Sequence, residues 1–163
     1  MDDLCSGPAY LEGVDFYAHQ RDAYSRARGA AARLVNADPE TIALTQNTTH
    51  GMNLGAFALD WEAGDEVVSS RSEHPGCLVP LHALERRYGI RLRLLEPPIT
   101  AEKVEEAMSP RTRLVSVSHV DWTTGEVLPL KKICALARDR RRHVRFHRPQ
   151  VGPGARGHGW LLR

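Results

Sequence analysis

Between Thr41 and Arg138 the sequence alternates short strand-like runs with amphipathic stretches, and this rhythm constrains the fold more than any other feature. The runs Thr41-Ile42-Ala43-Leu44-Thr45, Glu66 to Ser70, Ile90 to Leu95 and Leu114 to Ser118 are rich in β-branched and leucine residues. Most are flanked by Gly, Pro or Asp turn signals. Between them lie segments with helical spacing. One carries Leu78, Leu81, Leu84 and Tyr88 on a single face, with Gly89 as its stop. Another is capped by Thr100 and turns Val104, Ala107 and Met108 inward. A last one opens at Pro129 and places Leu130, Ile133, Cys134 and Ala137 together. A polar turn at Gln46–Gly51 leads into a further helix over Met52–Leu59. Upstream, Ala23, Tyr24, Ala27, Ala30, Ala31 and Leu34 recur at spacings of three and four, the stripe of an amphipathic helix. Strand–helix alternation with short connections predicts an α/β layered domain whose sheet is largely parallel and flanked by helices.

Composition narrows the class without naming a function. A chain of 163 residues with 42% hydrophobic and 26% charged residues can bury a core as one domain. It contains no run of eighteen apolar residues, and its start lacks the basic-then-apolar profile of an export signal. Three cysteines, Cys5, Cys77 and Cys134, make an odd and widely spaced set that suits a reducing compartment. The expectation is a cytoplasmic protein with no membrane partner. Charge is unevenly spread: seven arginines and one aspartate give Asp139–Arg163 a net +6, against −4 for the rest. Composition therefore divides the chain into residues 1–138, the α/β part, and 139–163, an arginine-rich tail read as irregular.

Three loops carry candidate chemistry. The turn before the Met52 helix offers the hydroxyls of Thr48 and Thr49, next to His50, together with unpaired amides at a helix start. That donor set and the positive end of the helix dipole suit a phosphate dianion. The plainer alternative is that Asn47 or Thr48 only caps the helix. Glu73-His74-Pro75 follows a strand, where α/β proteins gather ligands, and an imidazole there can stack on a flat aromatic group. A surface or hydrogen-bonded structural histidine is the alternative. Ser118-His119-Val120-Asp121-Trp122-Thr123-Thr124-Gly125 also follows a strand, and reads alternatively as a polar loop around a buried tryptophan.

In order and spacing the three segments TQNTTHGMN, GDEVVSSRSEHPGCLVPL and TRLVSVSHVDWTTGEVLPL resemble the class V aminotransferases. That family includes cysteine desulfurases and isopenicillin-N-epimerase-like proteins. The likeness runs from about Tyr24 to Arg138, well under half of a family subunit, and the Trp-Thr form of the third segment is nearer the epimerase-like branch. The resemblance implies part of a fold-type-I large domain, pyridoxal 5′-phosphate (PLP) as cofactor, amino-acid substrates and a homodimer at full length. Residue by residue, it implies that Thr48, Thr49 and His50 lie at the cofactor phosphate and that His74 stacks on the pyridine ring. Trp122 stands where desulfurases have an asparagine that bonds the phenolic oxygen.

The end of the chain departs from the family. Where an Asp-Gly-x-Gln strand is expected, Phe146-His147-Arg148-Pro149-Gln150 keeps the glutamine as Gln150 but has His147 at the aspartate position. An imidazole does not replace a carboxylate as the partner of a pyridinium. Gly157-His158-Gly159 resembles the Gly-His-Lys motif with Gly159 in place of the Schiff-base lysine. The three lysines of the chain, Lys103, Lys131 and Lys132, lie in helical segments outside any cofactor motif. The resemblance therefore implies a chain without a catalytic lysine, either frameshifted or internally deleted in its last part or a degenerate relative. The abrupt arginine-rich composition favours the former.

A basic-tailed nucleic-acid-binding protein is the alternative from another class, through Arg140, Arg141, Arg142, Arg145, Arg148 and Arg156. No nucleic-acid-binding motif precedes them. His143, His147 and His158 also admit a metal site, but Gly152, Pro149 and Pro153 disfavour a helix there, and no carboxylate or cysteine accompanies them.

Overall fold

A computed structural model describes residues 15–139 and the backbone of residues 143–147. Its contacts divide the chain at Leu44–Thr45 into two units.

The first unit holds helix α1 (Phe16–Val35) and a 3-10 turn at Pro39–Thr41. Asp15 caps α1 by accepting from the Tyr17 and Ala18 amides, and Asn36 ends it in the left-handed conformation at φ 52°. The predicted stripe is only partly buried. Ala31 and Ala32 are covered, while Tyr24 and Leu34 stay exposed, since one helix and one turn offer too little surface to sheathe it. Thr41–Thr45, expected as a strand, pairs with no strand among the described residues. Asp38 takes the Glu40 amide at 2.9 Å, and the Thr41 and Ile42 amides fold back on the Asp38 and Pro39 carbonyls at 2.9 and 3.1 Å. Local capping uses donors that a strand would have offered to a neighbour.

The second unit contains a four-stranded sheet of β1 (Glu66–Ser70), β2 (Arg91–Leu95), β3 (Thr112–Ser118) and β4 (His143–His147). The order is β2-β1-β3-β4, and every pairing is parallel. The connecting helices are α2 (Thr48–Phe57), α3 (Pro75–Tyr88), α4 (Ala101–Ala107) and α5 (Leu130–Asp139). The α/β reading of a parallel sheet flanked by helices is thus borne out. Alternation along the strands sends their side chains to two cores. Val68, Val115 and Val117 pack with Val104, Met108 and Ile133 of the α4–α5 layer. Val67 and Leu114 pack with Ala56, Leu81 and Leu84 of the α2–α3 layer. Gly89 ends α3 at φ 67°, and the Thr100 hydroxyl caps α4 by accepting from the Lys103 amide.

Two boundaries moved. Helix α2 begins at Thr48, not Met52, because the Asn47 side chain accepts the His50 amide at 2.8 Å and draws the Thr-Thr pair into the first turn. Residues 143–147, assigned by composition to an irregular tail, form β4 in register with β3, with His147 opposite Ser118. Gln150 and Gly159 lie outside the described residues. Among the described residues, no helix is long and apolar enough to cross a membrane.

Candidate active site

Strand order reverses between β1 and β3. The chain leaves β1 toward α3 and β2 on one side, and leaves β3 toward α5 and β4 on the other. At such a switch point the loops after the strands diverge and open a crevice at the carboxyl edge, the usual ligand position in open α/β sheets. The second and third candidate loops are the two that diverge here.

Side chains bind the loops to each other. Glu73, buried, accepts from the Ser118 amide at 2.5 Å and from the Ser118 hydroxyl at 2.7 Å. The Ser72 hydroxyl donates to Asp121 Oδ2 at 2.6 Å, and Trp122 Nε1 donates to the Ser72 carbonyl at 2.7 Å. Asp121 Oδ1 also accepts from the Thr123 amide, the Thr123 hydroxyl and the Thr124 amide at 2.8, 2.5 and 2.9 Å, closing the turn on itself. The two carboxyls respond oppositely. Burial raises the Glu73 pKa above its ordinary range and outweighs the Ser118 hydrogen bonds, with nearby Asp121 adding to the rise. Burial also opposes ionisation of Asp121, but the hydrogen bonds from Ser72, Thr123 and Thr124 prevail and hold it well below the usual range.

His74 is the N-cap of α3. Its Nδ1 accepts from the Gly76 amide at 3.0 Å, which leaves the proton of the neutral ring on Nε2. Its ring stands nearly perpendicular to the Trp122 indole, at 76° with centroids 5.1 Å apart. Both residues are exposed, so Trp122 is not the buried tryptophan of the plainer reading.

Helix α2 brings the first candidate loop to the same place. A Cβ added at Gly76 would lie 2.5 Å from Thr49 Oγ1 and 3.1 Å from His74 Nδ1. Glycine at this position therefore lets the starts of α2 and α3 close around a shared point. The Thr48 and Thr49 amides belong to the first turn of α2 and have no acceptor within the helix. Asn47 performs the capping named as the plainer alternative, yet only the His50 amide is taken by its side chain. The structure thus brings Thr49, His74, Gly76 and Trp122 together, with Thr48 and His50 beside Thr49 in the same turn of α2. Sequence reading missed the Gly76 contact and the Glu73–Ser118 bond. Only the glycine two residues after His74 hinted at either.

No nucleophile or cofactor-bearing amine stands in this crevice among the described residues. Cys77 is buried and its thiol pKa is pushed up by desolvation, then by the Glu73 charge and by its hydrogen bond to that carboxylate. Lys103 donates to the Glu96 and Pro98 carbonyls at 3.1 and 2.9 Å, and Lys131 and Lys132 are exposed on α5.

The aminotransferase class-V family model matches residues 10–147. The chain belongs to this family. The match is wider than the Tyr24–Arg138 likeness visible in the motifs, and it reaches the last residue of β4. The chain is 38% identical over 138 residues to isopenicillin N epimerase of Streptomyces clavuligerus, covering 79% of this chain and 34% of that protein. It is 31% identical over 128 residues to a probable cysteine desulfurase of Xylella fastidiosa, covering 73% and 30%. Among solved structures, the cystine C-S lyase C-DES in complex with cysteine persulfide superposes with a TM-score of 0.75 at 32% identity, over 88% of this chain and 40% of that one. A lysine-to-alanine variant of C-DES with glycine covalently linked to its PLP cofactor gives 0.76 over 91% and 40%. The chain thus spans about a third of the length of the curated relatives it matches. PLP is the cofactor that this resemblance carries.

Proposed function

We propose that the chain is the phosphate- and ring-binding part of a PLP-dependent enzyme acting on amino acids, with transamination, epimerisation or lyase cleavage as the family's range of reactions. The observation that carries this reading is the convergence of Thr49, Gly76 and His74 at the switch point, where a side chain at residue 76 would press on both neighbours. The free first-turn amides and hydroxyls of Thr48 and Thr49 suit the phosphate, and the fixed imidazole of His74 suits a flat pyridine ring. When bound, PLP supplies the electron sink for chemistry at an amino-acid α-carbon. The residues of this chain orient the ring and phosphate.

As it stands, the chain does not turn over. No lysine reaches the crevice among the described residues, Gly159 occupies the matching sequence position, and an imidazole at His147 does not keep a pyridine nitrogen protonated. The family match extends through His147, past Asp139 where the arginine-rich composition begins, so a break in reading frame or a deletion in this reading affects only part of 139–163. The full-length protein is a cytoplasmic homodimer in this reading. Exposed Phe57 and Val79 line a groove of about 360 Å³ between α2 and α3, an apolar surface that a second subunit would cover.

Two assays test the proposal. Titration calorimetry with pyridoxine 5′-phosphate, which lacks the reactive aldehyde, gives binding that Thr49→Ala and His74→Ala each weaken at least tenfold. Incubation with PLP and borohydride then leaves no stoichiometric adduct on any one lysine. Absence of binding by the parent chain, or a single fully modified lysine, refutes the corresponding half.

A further inference from the structure

We infer that Trp122 is a positioning residue for His74, holding the imidazole in the orientation in which Nδ1 accepts from the Gly76 amide, ready for a flat ring; this rests on the cofactor reading above. Trp122 has one N–H, and it is spent on the Ser72 carbonyl at 2.7 Å. The indole therefore has no donor left for the phenolic oxygen that the asparagine of desulfurases bonds. Its ring lies instead across His74, 76° from coplanar at 5.1 Å, a favourable edge-to-face distance.

Burial does not account for the placement, because 52% of Trp122 remains exposed. The loop beneath it does. Asp121 is tied to Ser72, Thr123 and Thr124, so the backbone that carries the indole is fixed, and the Ser72 carbonyl fixes the rotation of the ring. His74 is thereby held from two sides. The Gly76 amide engages Nδ1 at 3.0 Å, and the indole packs edge-to-face against the ring at 5.1 Å. An unheld imidazole at an exposed helix start would sample several rotamers, and ordering it on binding would cost side-chain entropy. Trp122 removes that cost in advance. In this chain the third loop secures the ring through a histidine in place of a hydrogen bond to its oxygen.

The test uses Trp122→Phe, which keeps an aromatic ring but lacks the N–H, and Trp122→Leu, which lacks both. Amide exchange by NMR in the ligand-free protein reads the Gly76 amide against those of Cys77 and Leu78, which donate to the His74 carbonyl at 2.8 and 3.2 Å and report the helix start itself. Both variants speed Gly76 exchange at least tenfold while Cys77 and Leu78 stay within twofold. Pyridoxine 5′-phosphate binding weakens about tenfold, and inorganic phosphate binding stays within twofold. Unchanged Gly76 exchange overturns the inference, as does equal acceleration at all three amides, which would mean that Trp122 only pins the loops. Should the parent chain bind no pyridoxine 5′-phosphate, the cofactor reading falls, and the Gly76 measurement still decides whether Trp122 holds His74.

Discussion

Replacing Gly76 with alanine tests the geometry on which the candidate site depends. The new Cβ would sit 2.5 Å from Thr49 Oγ1, about 1 Å inside an ordinary contact, and 3.1 Å from His74 Nδ1. Threonine in a helix has two accessible χ1 rotamers, so the hydroxyl can swing aside, but His74 must also give way and its cap on the Gly76 amide is strained. Overpacking of this kind costs about 1–3 kcal/mol. Alanine recovers up to about 1 kcal/mol of helix propensity over glycine. The balance is a net loss of about 1–2 kcal/mol at the middle of these ranges, or a fall in Tm of about 2–8 °C for a chain of this length. Urea denaturation of a double-mutant cycle separates the terms. In a Thr49→Ala background the obstructing hydroxyl is gone, so Gly76→Ala becomes neutral or slightly stabilising, with a coupling of about 1–2 kcal/mol. An equal cost in both backgrounds, or stabilisation by Gly76→Ala in the parent, would refute the reasoning.

Three further outcomes follow from the loop clasp. The raised Glu73 pKa means that the folded state holds its proton more tightly than the unfolded chain. Stability contributed by this group is therefore full below the ordinary value of 4.5 and declines as pH rises through the raised value. Glu73→Gln removes that decline from the difference in pH–stability profiles, and an unchanged slope counts against the assignment. Asp121 acts in the opposite sense: its stabilisation is present above the ordinary value of 3.8 and is lost as pH falls toward its depressed value. Asp121→Ala strands the donors of Ser72, Thr123 and Thr124 and costs about 1–3 kcal/mol by chemical denaturation. Cys77 is alkylated by iodoacetamide only after unfolding, as peptide mass spectrometry will show; labelling of Cys77 in the folded protein would contradict its burial and its raised pKa.

What the sequence disclosed follows from how local each signal is. Periodicity, caps and stops act within a turn or two, so Thr100 and Gly89 were readable as helix boundaries, and β1 and β3 as strands. Asn47 was readable as a cap in principle, but whether its side chain takes a donor at Thr49 or at His50 depends on a rotamer, and the start of α2 was misplaced accordingly. The run Thr41–Thr45 has strand composition but no described strand to pair with, and composition cannot supply a partner. The site was legible only as three separate loops. Each was ambiguous because its meaning lies in contacts across long stretches of chain: Thr49 against Gly76, Glu73 against Ser118, Ser72 against Asp121 and Trp122. The strand order β2-β1-β3-β4 makes these loops neighbours, and no local pattern specifies that order. The same reasoning explains β4. Arginine-rich composition hid a five-residue strand because parallel pairing with β3 draws on backbone donors and acceptors, which every residue but proline carries in full. The family match and the parallel pairing of β4 with β3 both extend through His147, past the point where the charge changes.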